Sequence, residues 1–239
     1  MLRAAMEHLI TRCTAHGRQV FFDPADFDWI ATIESAYPVI REELDAVLRE
    51  REHIPNLQDL SPDQAVLTQG EEWKSLIFHA YGRRVAANCA RCPRTAELLT
   101  RIPGMKSAMF SILAPHKRLP EHRGPYKGVL RYHLGLKIPE PAEASGICVA
   151  GQTRHWAEGR SLVFDDSYLH EAWNGTDAHR VVLFVDLLRP LPVWLALLNR
   201  AMVWRLSTTP FVAVMITRAR AAARRSGRAG PPADGDSPA

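Results

Sequence analysis

The stretch GVLRYHLGLKI, residues 128–138, predicts a β-strand with a charged face. Successive side chains of a strand point to opposite faces, so Arg131 and His133 share one face, and Tyr132 and Leu134 share the other. Burying a cation is costly unless an anion pairs with it. Because this strand is expected to be covered on both faces, Arg131 and His133 are predicted to hold an anion.

Further short segments around this strand predict a β-rich core. They are rich in β-branched and aromatic residues and are separated by clusters of Pro, Gly and Asp, a pattern typical of a sandwich or barrel of antiparallel strands. These segments are SAMFSILA (107–114), GICVA (146–150), SLVF (161–164) and RVVLFVDLL (180–188).

The parts that flank this core predict helices. Residues 1–105 are expected to be mainly helical and to pack on a core at 106–190. Within them, ADFDWIATIESAYPVIREELDAVLRE (25–50) has helical apolar spacing with a break or kink at Pro38, and CPRTAELLTRIPG (92–104) predicts a short helix.

The C-terminal part, residues 191–228, is apolar and then basic, and two interpretations of it stay open. It is either a helix packed on the core and followed by a solvated basic tail, or a segment that contacts an anionic membrane surface peripherally. Residues 229–239 have the composition of a disordered tail. The sequence shows no signal peptide and no membrane-spanning run, which predicts a cytoplasmic location, with the inner face of the membrane as the alternative.

Composition and motifs exclude several classes of function. The 239 residues carry a mild formal net charge of +4. The CxxC motif at Cys89 and Cys92 lacks the second pair of ligands that a zinc site needs, and is interpreted as incidental. Nucleotide-binding loops and a GxSxG nucleophile motif are absent, and Asn174 interrupts an HExxH pattern that begins at His170. No nucleic-acid-binding signature occurs, so no nucleic acid partner is expected.

Two histidines at junctions between turns and strands, His122 and His170, are the candidate metal ligands. Arg180 opens the strand RVVLFVDLL and shares a face with Val182 and Phe184. Inside a barrel, such imidazoles indicate a metal and such arginines a small acidic ligand. Together they fit iron(II) chelated by 2-oxoglutarate, whose distal carboxylate an arginine binds in a fork of hydrogen bonds. With O2, such a site hydroxylates an unactivated C–H bond.

The segments HRGPYKGVLRYHLGLKIP, WAEGRSLVFDDSYLHEAWN and HRVVLFVDLLRP resemble the aspartyl/asparaginyl β-hydroxylase family of Fe(II)/2-oxoglutarate-dependent dioxygenases. The resemblance extends from about Trp73 to Pro190. It implies an α+β fold with a mainly β core, namely a double-stranded β-helix (jelly-roll, cupin-like) with the N-terminal helices packed on it.

The same resemblance implies a role for each site residue. His122 and His170 would bind iron. Arg180 and Ser111 would hold the distal carboxylate of 2-oxoglutarate, and the end of 2-oxoglutarate near the metal would be held by Arg131 and His133.

One position differs from the wider oxygenase superfamily, because Gly124 stands where most members have a carboxylate ligand. The peptide hydroxylases of the family also lack that carboxylate, and water takes its place. Asp165, Asp166 and Glu171 are the nearest acidic residues in the sequence. Asp165 and Asp166 are interpreted as turn residues or as residues that orient a ligand.

Within the family, the segments WKSLIFHAYG, CPRTAELLTRIPG, LRYHLGL and DLLRPLPVW are most similar to the bacterial lipid A 2-hydroxylase branch. That branch hydroxylates a fatty acyl chain of a membrane lipid. Two substrate classes stay open: a lipid acyl chain, or an Asp or Asn side chain in a peptide or small molecule. The alternative function is a non-catalytic barrel module that binds 2-oxoglutarate or a partner, and Gly124 is its support.

Overall fold

The core consists of two antiparallel β-sheets, which confirms the expected α+β fold with a mainly β core. The computed structural model describes residues 2–226. Its strands are β1 (Phe21–Phe22), β2 (Trp73–Ala80), β3 (Arg83–Arg84), β4 (Met105–Leu113), β5 (Arg118–His122), β6 (Val129–Lys137), β7 (Ser145–Val149), β8 (Gln152–Arg154), β9 (Ser161–Phe164), β10 (His170–Asn174) and β11 (Arg180–Leu188).

Eight α-helices lie in the same described part of the chain. They are α1 (Leu2–Cys13), α2 (Ile30–Ser35), α3 (Tyr37–Leu48), α4 (Leu57–Leu60), α5 (Ala86–Arg91), α6 (Pro93–Thr100), α7 (Val193–Ser207) and α8 (Pro210–Ser226). Short 3-10 turns connect several of them, including the turn Pro62–Val66 between α4 and β2.

The strand order places the site on the middle of the larger sheet. That sheet runs β1-β9-β6-β11-β4-β2-β3, and the smaller sheet runs β5-β10-β7-β8. An apolar layer joins the two sheets: Ile147 and Val149 of the smaller sheet belong to one buried cluster with Phe164, Val182 and Phe184 of the larger one. The barrel interior therefore lies between β6 and β11 on one side and β5 and β10 on the other.

The other face of the larger sheet packs against the N-terminal helices. Tyr132 and Leu134 of β6 lie in a second buried cluster with Ile40 and Leu44 of α3 and Leu99 of α6. The alternation predicted for residues 128–138 is thus confirmed. One face of β6 contacts the helices, and the opposite face, with Arg131 and His133, points into the barrel.

Local chain breaks follow the sequence prediction. The predicted interruption at Pro38 is confirmed, because α2 ends at Ser35, Ala36 leaves the helix, and Pro38 lies in the first turn of α3. Proline fits there because the first turn of a helix does not need its N–H group. The short helix predicted at 92–104 is α6.

Helices make up most of the regular structure in residues 2–105, but strand β2, which the sequence did not predict, lies among them and pairs with β4 along most of its length. All but one residue of β2 are buried. A strand covered on both faces has a continuous apolar sequence without alternation, and such a run is hard to distinguish from a buried helix. A boundary at residue 106 would therefore divide the larger sheet.

The C-terminal segment forms α7 and α8, and no helix in residues 2–226 is long and apolar enough to cross a membrane. Helix α7 packs beside α1, and α8 packs on α4, α5 and β2. Packing on the core, the first of the two interpretations, therefore holds for one face of each helix. The predicted tail at 229–239 lies outside the described residues.

Candidate functional site

His122 and His170 lie side by side in the barrel although they are far apart in the sequence. Strands β5 and β10 pair antiparallel with these two residues directly opposite each other. Their ring centroids are 4.1 Å apart. His170 is buried, and its backbone also pairs with Val149 of the neighbouring strand β7.

The hydrogen bonds of the two rings leave one nitrogen of each ring available to a metal. Nδ1 of His122 lies 2.8 Å from the carbonyl of Pro120, and Nδ1 of His170 lies 2.9 Å from the carbonyl of Tyr168. A carbonyl only accepts, so each Nδ1 carries the proton, and each Nε2 has a free lone pair. A backbone carbonyl on the second nitrogen is the usual partner of a metal-binding histidine.

Electrostatics keep both rings neutral, as a metal ligand requires. Burial, the charge of His122 and that of Arg131 lower the pKa of His170 to about 3. Burial is also the main reason why the pKa of His122 is lowered, and Arg131 adds to it. The donor set therefore fits a divalent metal with two imidazoles. Among residues 2–226, no group of three or more His, Cys, Asp or Glu side chains has the geometry of a complete metal site.

Gly124 leaves room for a carboxylate that comes from another part of the chain. Its N–H donates to the carbonyl of Asp166. A Cβ atom at position 124 would overlap the side-chain carboxylate of Asp166. The loop between β9 and β10 thus brings Asp166 into the space that a side chain at position 124 would fill.

Arg131 is held by two acidic side chains. Its Nε donates to Oδ1 of Asp186 at 3.0 Å, and its Nη2 lies 2.8 Å from Oδ2 of Asp166. Burial raises the pKa of Asp166 to about 7, although Arg131 acts in the opposite direction. The guanidinium also lies 4.1 Å from the ring centroid of Phe184. The cation predicted from the sequence is therefore present in the barrel, and part of its charge is already balanced.

The neighbouring acid, Asp165, has a structural role. It accepts hydrogen bonds from Ser167 within its turn, as interpreted from the sequence, and it forms buried ion pairs with Lys127 and Arg189, both at 2.8 Å. Glu171, the third acidic candidate, pairs with Arg118.

Arg180 is buried in the barrel without an anion. Its side chain is 2% exposed, and its Nε and Nη1 atoms have no hydrogen-bond partner in the part of the chain that the structure describes. Burial lowers its pKa to about 9. The guanidinium stacks at 4.4 Å from the ring centroid of Trp156. A buried arginine of this kind has the donors for a carboxylate, which fits the distal end of 2-oxoglutarate.

Ser111 lies on the same face as Arg180, on the adjacent strand. Arg180 pairs with Leu113 of β4, and Ser111 pairs with Val182. The Ser111 hydroxyl accepts a hydrogen bond of 2.9 Å from the indole of Trp73, so its own proton remains free for another acceptor. The structure thus brings Ser111 and Arg180 together, as the resemblance implied.

His133 offers a second buried donor. The indole of Trp156 donates to its Nδ1 at 3.3 Å. An indole only donates, so the neutral ring carries its proton on Nε2, and that buried atom has no partner among the described residues. Burial holds the pKa of His133 well below its ordinary value, and the charges of Arg131, Arg180 and His170 lower it further. His133 therefore interacts electrostatically with three of the predicted site residues, namely Arg131, Arg180 and His170.

A cavity of about 390 Å³ opens beside this site. His122, Gly124 and Arg131 line its inner end, together with Arg123. The rest of its wall is largely apolar and includes Ile77, Met109, Phe184, Leu206, Phe211 and Met215. The last three belong to the α7–α8 hairpin, so the C-terminal segment contributes to the cavity wall.

The sequence did not identify several residues that shape the site. Asp186 could have been found, because it follows Phe184 on the inward face of β11 and a lone acid there needs a partner. Trp73 and Trp156 gave no signal, since their contacts with Ser111 and Arg180 depend on long-range packing. The position of Asp166 against Gly124 also depends on tertiary structure.

Comparison with known proteins assigns the chain to a family. The family model described as Aspartyl/Asparaginyl beta-hydroxylase matches residues 34–190. The chain belongs to the aspartyl/asparaginyl beta-hydroxylase family. The resemblance predicted from the sequence is thereby confirmed, and the chain is a member of a hydroxylase family.

Curated relatives include lipid and aspartyl hydroxylases. The ornithine lipid ester-linked acyl 2-hydroxylase of Rhizobium tropici is 45% identical over 196 residues, which cover 82% of this chain and 70% of the relative. The aspartate beta-hydroxylase domain-containing protein 2 of Mus musculus is 40% identical and covers 52% of this chain and 38% of that protein. The human aspartyl/asparaginyl beta-hydroxylase is 31% identical over a matched region that covers 67% of this chain but only 21% of that protein.

Solved structures of similar fold are cupin barrels. The cupin domain of an XRE family transcriptional regulator from Enterobacter cloacae has 13% identity and a TM-score of 0.35, covering 50% of this chain and 99% of that domain. A cupin 2 conserved barrel domain protein from Salinispora arenicola has 11% identity and a TM-score of 0.33, covering 59% of this chain and 92% of that one. This likeness concerns the fold alone.

Proposed function

We propose that the chain is an Fe(II)- and 2-oxoglutarate-dependent dioxygenase that hydroxylates an acyl chain of a membrane lipid. The observation that carries the proposal is the set of unpartnered polar atoms in one barrel interior: two imidazole Nε2 lone pairs beside a buried arginine that has no anion. The iron and 2-oxoglutarate, when bound, would supply the O2 chemistry that breaks an unactivated C–H bond.

Each residue has a role that follows from its contacts. His122 and His170 would hold the metal, each oriented by a backbone carbonyl. Arg180 and Ser111 would hold the distal carboxylate of 2-oxoglutarate. His133 would donate from Nε2 to the end near the metal, where Arg131 would add positive charge while it stays anchored to its carboxylates.

The form of the cavity supports a lipid acyl chain as the substrate. An acyl chain gains free energy in proportion to the apolar surface that it buries, and the cavity wall away from His122 is mainly apolar. The relative from Rhizobium tropici is named for acyl 2-hydroxylation of an ornithine lipid, whereas the sequence left a lipid A-like acyl chain and an Asp or Asn side chain open as substrates. Ornithine lipid is therefore the first lipid to test, with lipid A as the second. A peripheral position at the cytoplasmic face of the membrane is part of this proposal.

The second candidate substrate is an Asp or Asn side chain in a peptide or small molecule. Arg123 favours it, because this exposed cation lines the cavity next to His122 and could bind an acidic group of such a substrate. Relatives named as aspartyl/asparaginyl hydroxylases add to its support.

The first experiment is an assay of succinate formation from 2-oxoglutarate. We expect purified protein to form succinate only with iron(II) and O2, and the His170→Ala variant to form none. His116→Ala is the matched control, since His116 is exposed and pairs with Asp177 away from the barrel interior. Failure of the wild type to form succinate with any tested lipid or peptide, despite metal binding, would favour a non-catalytic binding module.

The substrate is then identified by mass spectrometry of lipid extracts from an ornithine-lipid-producing bacterium that expresses the protein. We expect a gain of one oxygen atom on an acyl chain, absent in a strain with His122→Ala. If succinate forms but ornithine lipid and lipid A stay unchanged, the acyl-chain substrate is wrong, and Asp- or Asn-containing substrates take its place.

A further inference from the structure

Helix α7 exposes a large apolar surface. Val193, Trp194, Leu197, Leu198 and Trp204, which we call the α7 outer face, are all exposed, with Trp204 at 70% and Leu197 at 63%. Among residues 2–226, most of the strongly exposed large apolar side chains lie on α7 and α8. An exposed cluster of this kind marks an interaction site more often than scattered apolar residues do.

The opposite face of α7 is already packed. Leu195, Met202 and Val203 lie in a buried cluster with Ile10 of α1 and Tyr126. The helix is therefore apolar on both sides, and only one side is covered by the described chain. A helix that is apolar all round is normally buried all round, so the outer face calls for an apolar partner.

The arrangement of the outer face fits a helix that lies in a membrane interface. At about 100° per residue, its five side chains fall within an arc of about 140°. Arg200 and Arg205, both exposed, lie at or near the edges of this arc. An interfacial helix typically has tryptophan and leucine on one face and arginines beside them, whose side chains reach the lipid headgroups.

Charge favours an anionic bilayer over a second copy of the chain as the partner. Residues 193–226 contain six arginines and neither Asp nor Glu. A symmetric dimer through the α7 outer face would bring Arg200 and Arg205 of both copies together without acidic residues from these helices to balance them. The headgroups of anionic lipids offer the complementary charge.

Helix α7 also reaches the cavity of the site, through a residue on the side opposite the outer face. Trp204 is followed by Leu206, whose side chain lines the cavity, and Phe211 and Met215 of α8 line it too. The same hairpin therefore presents apolar side chains to the outside and forms part of the wall near His122.

We infer that the α7 outer face docks on the surface of an anionic lipid bilayer and places the cavity next to its substrate. The inference rests on the proposed function for the identity of that substrate, but the docking itself involves no catalytic step. Docking by α7 is interfacial, because no described helix can span the membrane.

The test is flotation of the full chain with vesicles of phosphatidylcholine, with or without phosphatidylglycerol. We expect binding to the mixed vesicles and a fall in partition coefficient of about tenfold or more for Leu197→Ser/Trp204→Ser, since both side chains lose apolar burial. For Arg200→Gln/Arg205→Gln we expect a loss of about 25-fold, from a factor of about five per arginine near an anionic surface.

Two matched controls distinguish docking by the α7 outer face from non-specific binding to vesicles. Arg154→Gln/Arg160→Gln removes the same charge from exposed positions on β8 and before β9, and should bind like the wild type. Trp194→Phe/Trp204→Phe keeps the apolar surface and should still float, while it loses the blue shift of tryptophan fluorescence on binding. Unchanged melting temperatures would show that the variants fold.

Wild-type binding by Leu197→Ser/Trp204→Ser would overturn the inference. The inference would also be overturned if the outer face pairs two copies of the chain. The observation would be a dimer that these substitutions convert to a monomer without any effect on vesicle binding. Succinate formation is measured in parallel. If the wild type forms succinate but does not bind the vesicles, only this inference is refuted. If the wild type binds the vesicles but forms no succinate, only the proposed function is refuted.

Discussion

Replacing Arg180 with methionine should stabilise the protein in the absence of 2-oxoglutarate. Burial lowers the pKa of this arginine from its ordinary value to about 9, which corresponds to a cost on the order of 5 kcal/mol for keeping the charged form in the barrel. An independent estimate agrees, because two buried donors without partners cost roughly 2–6 kcal/mol together.

Part of this gain is offset in the variant. Methionine loses the stacking of the guanidinium on Trp156, worth about 1 kcal/mol, and it fills less space than arginine, which costs about 1–2 kcal/mol more. The net expectation is an increase of about 2 kcal/mol in the free energy of unfolding, or roughly 5 °C in Tm. The folded pKa lies below the unfolded one, so the penalty is fully present below about pH 9 and is relieved only as the pH rises from there toward the ordinary pKa of arginine.

The assay is thermal and denaturant unfolding at neutral pH in the presence of manganese(II), with and without 2-oxoglutarate. At a concentration of about 100 times Kd, the ligand should stabilise the wild type by about 2.7 kcal/mol and leave Arg180→Met unchanged. If the variant is less stable than the wild type without ligand, Arg180 is already satisfied by the protein, and the reasoning that it awaits a carboxylate is refuted.

Arg189→Met is the matched control, because Arg189 is an equally buried arginine that has an anion. Its Nη1 lies 2.8 Å from Oδ2 of Asp165. Removing it leaves Lys127 as the one cation paired with Asp165, so we expect a loss of about 3–5 kcal/mol. The stabilisation by 2-oxoglutarate should persist in this variant.

Three further outcomes are expected. His170→Ala should lose manganese(II) binding in calorimetry, because a single imidazole is left; undiminished affinity would contradict the metal assignment. Gly124→Ala should lower the free energy of unfolding by about 1–3 kcal/mol, measured with denaturant, because the new Cβ overlaps Asp166. In a double-mutant cycle, the same substitution in an Asp166→Gly background should have no such cost. Additive effects of the two substitutions would show that the two residues do not touch. Cys92, whose pKa burial raises to about 12, should resist iodoacetamide until unfolding, whereas exposed Cys13 reacts; rapid native labelling of Cys92 would contradict its burial.

The parts of the fold that the sequence predicted are those in which local pattern and tertiary position agree. Alternation in residues 128–138 assigned Arg131 and His133 to the barrel interior, and RVVLFVDLL became β11 with the predicted bounds. Pro38 set the start of α3 because its ring forbids a helix interior. In each case, one residue's chemistry restricts the backbone or the face, whatever surrounds it.

The parts that could not be predicted depend on which segments meet. The sequence of β2 has no alternation, since both of its faces are covered by the fold. The sequence shows directly that position 124 has no carboxylate. That Asp166 occupies the space of a side chain at this position depends on how the loop between β9 and β10 folds. The stacking of Arg180 on Trp156 similarly joins two segments that share no local signal.

The arrangement around Gly124 bears on whether the chain is an enzyme or a binding module. If the missing carboxylate marked a decayed metal site, the costly groups near it would have no reason to persist. Instead the barrel keeps Arg180 buried without an anion, which lowers the stability of the ligand-free fold, and it keeps two adjacent imidazoles whose Nδ1 atoms are bonded to backbone carbonyls. A module that binds only 2-oxoglutarate would account for Arg180 but not for the paired histidines. The enzyme proposal accounts for both, and Asp166 places a carboxyl group in the space that a side chain at position 124 would fill.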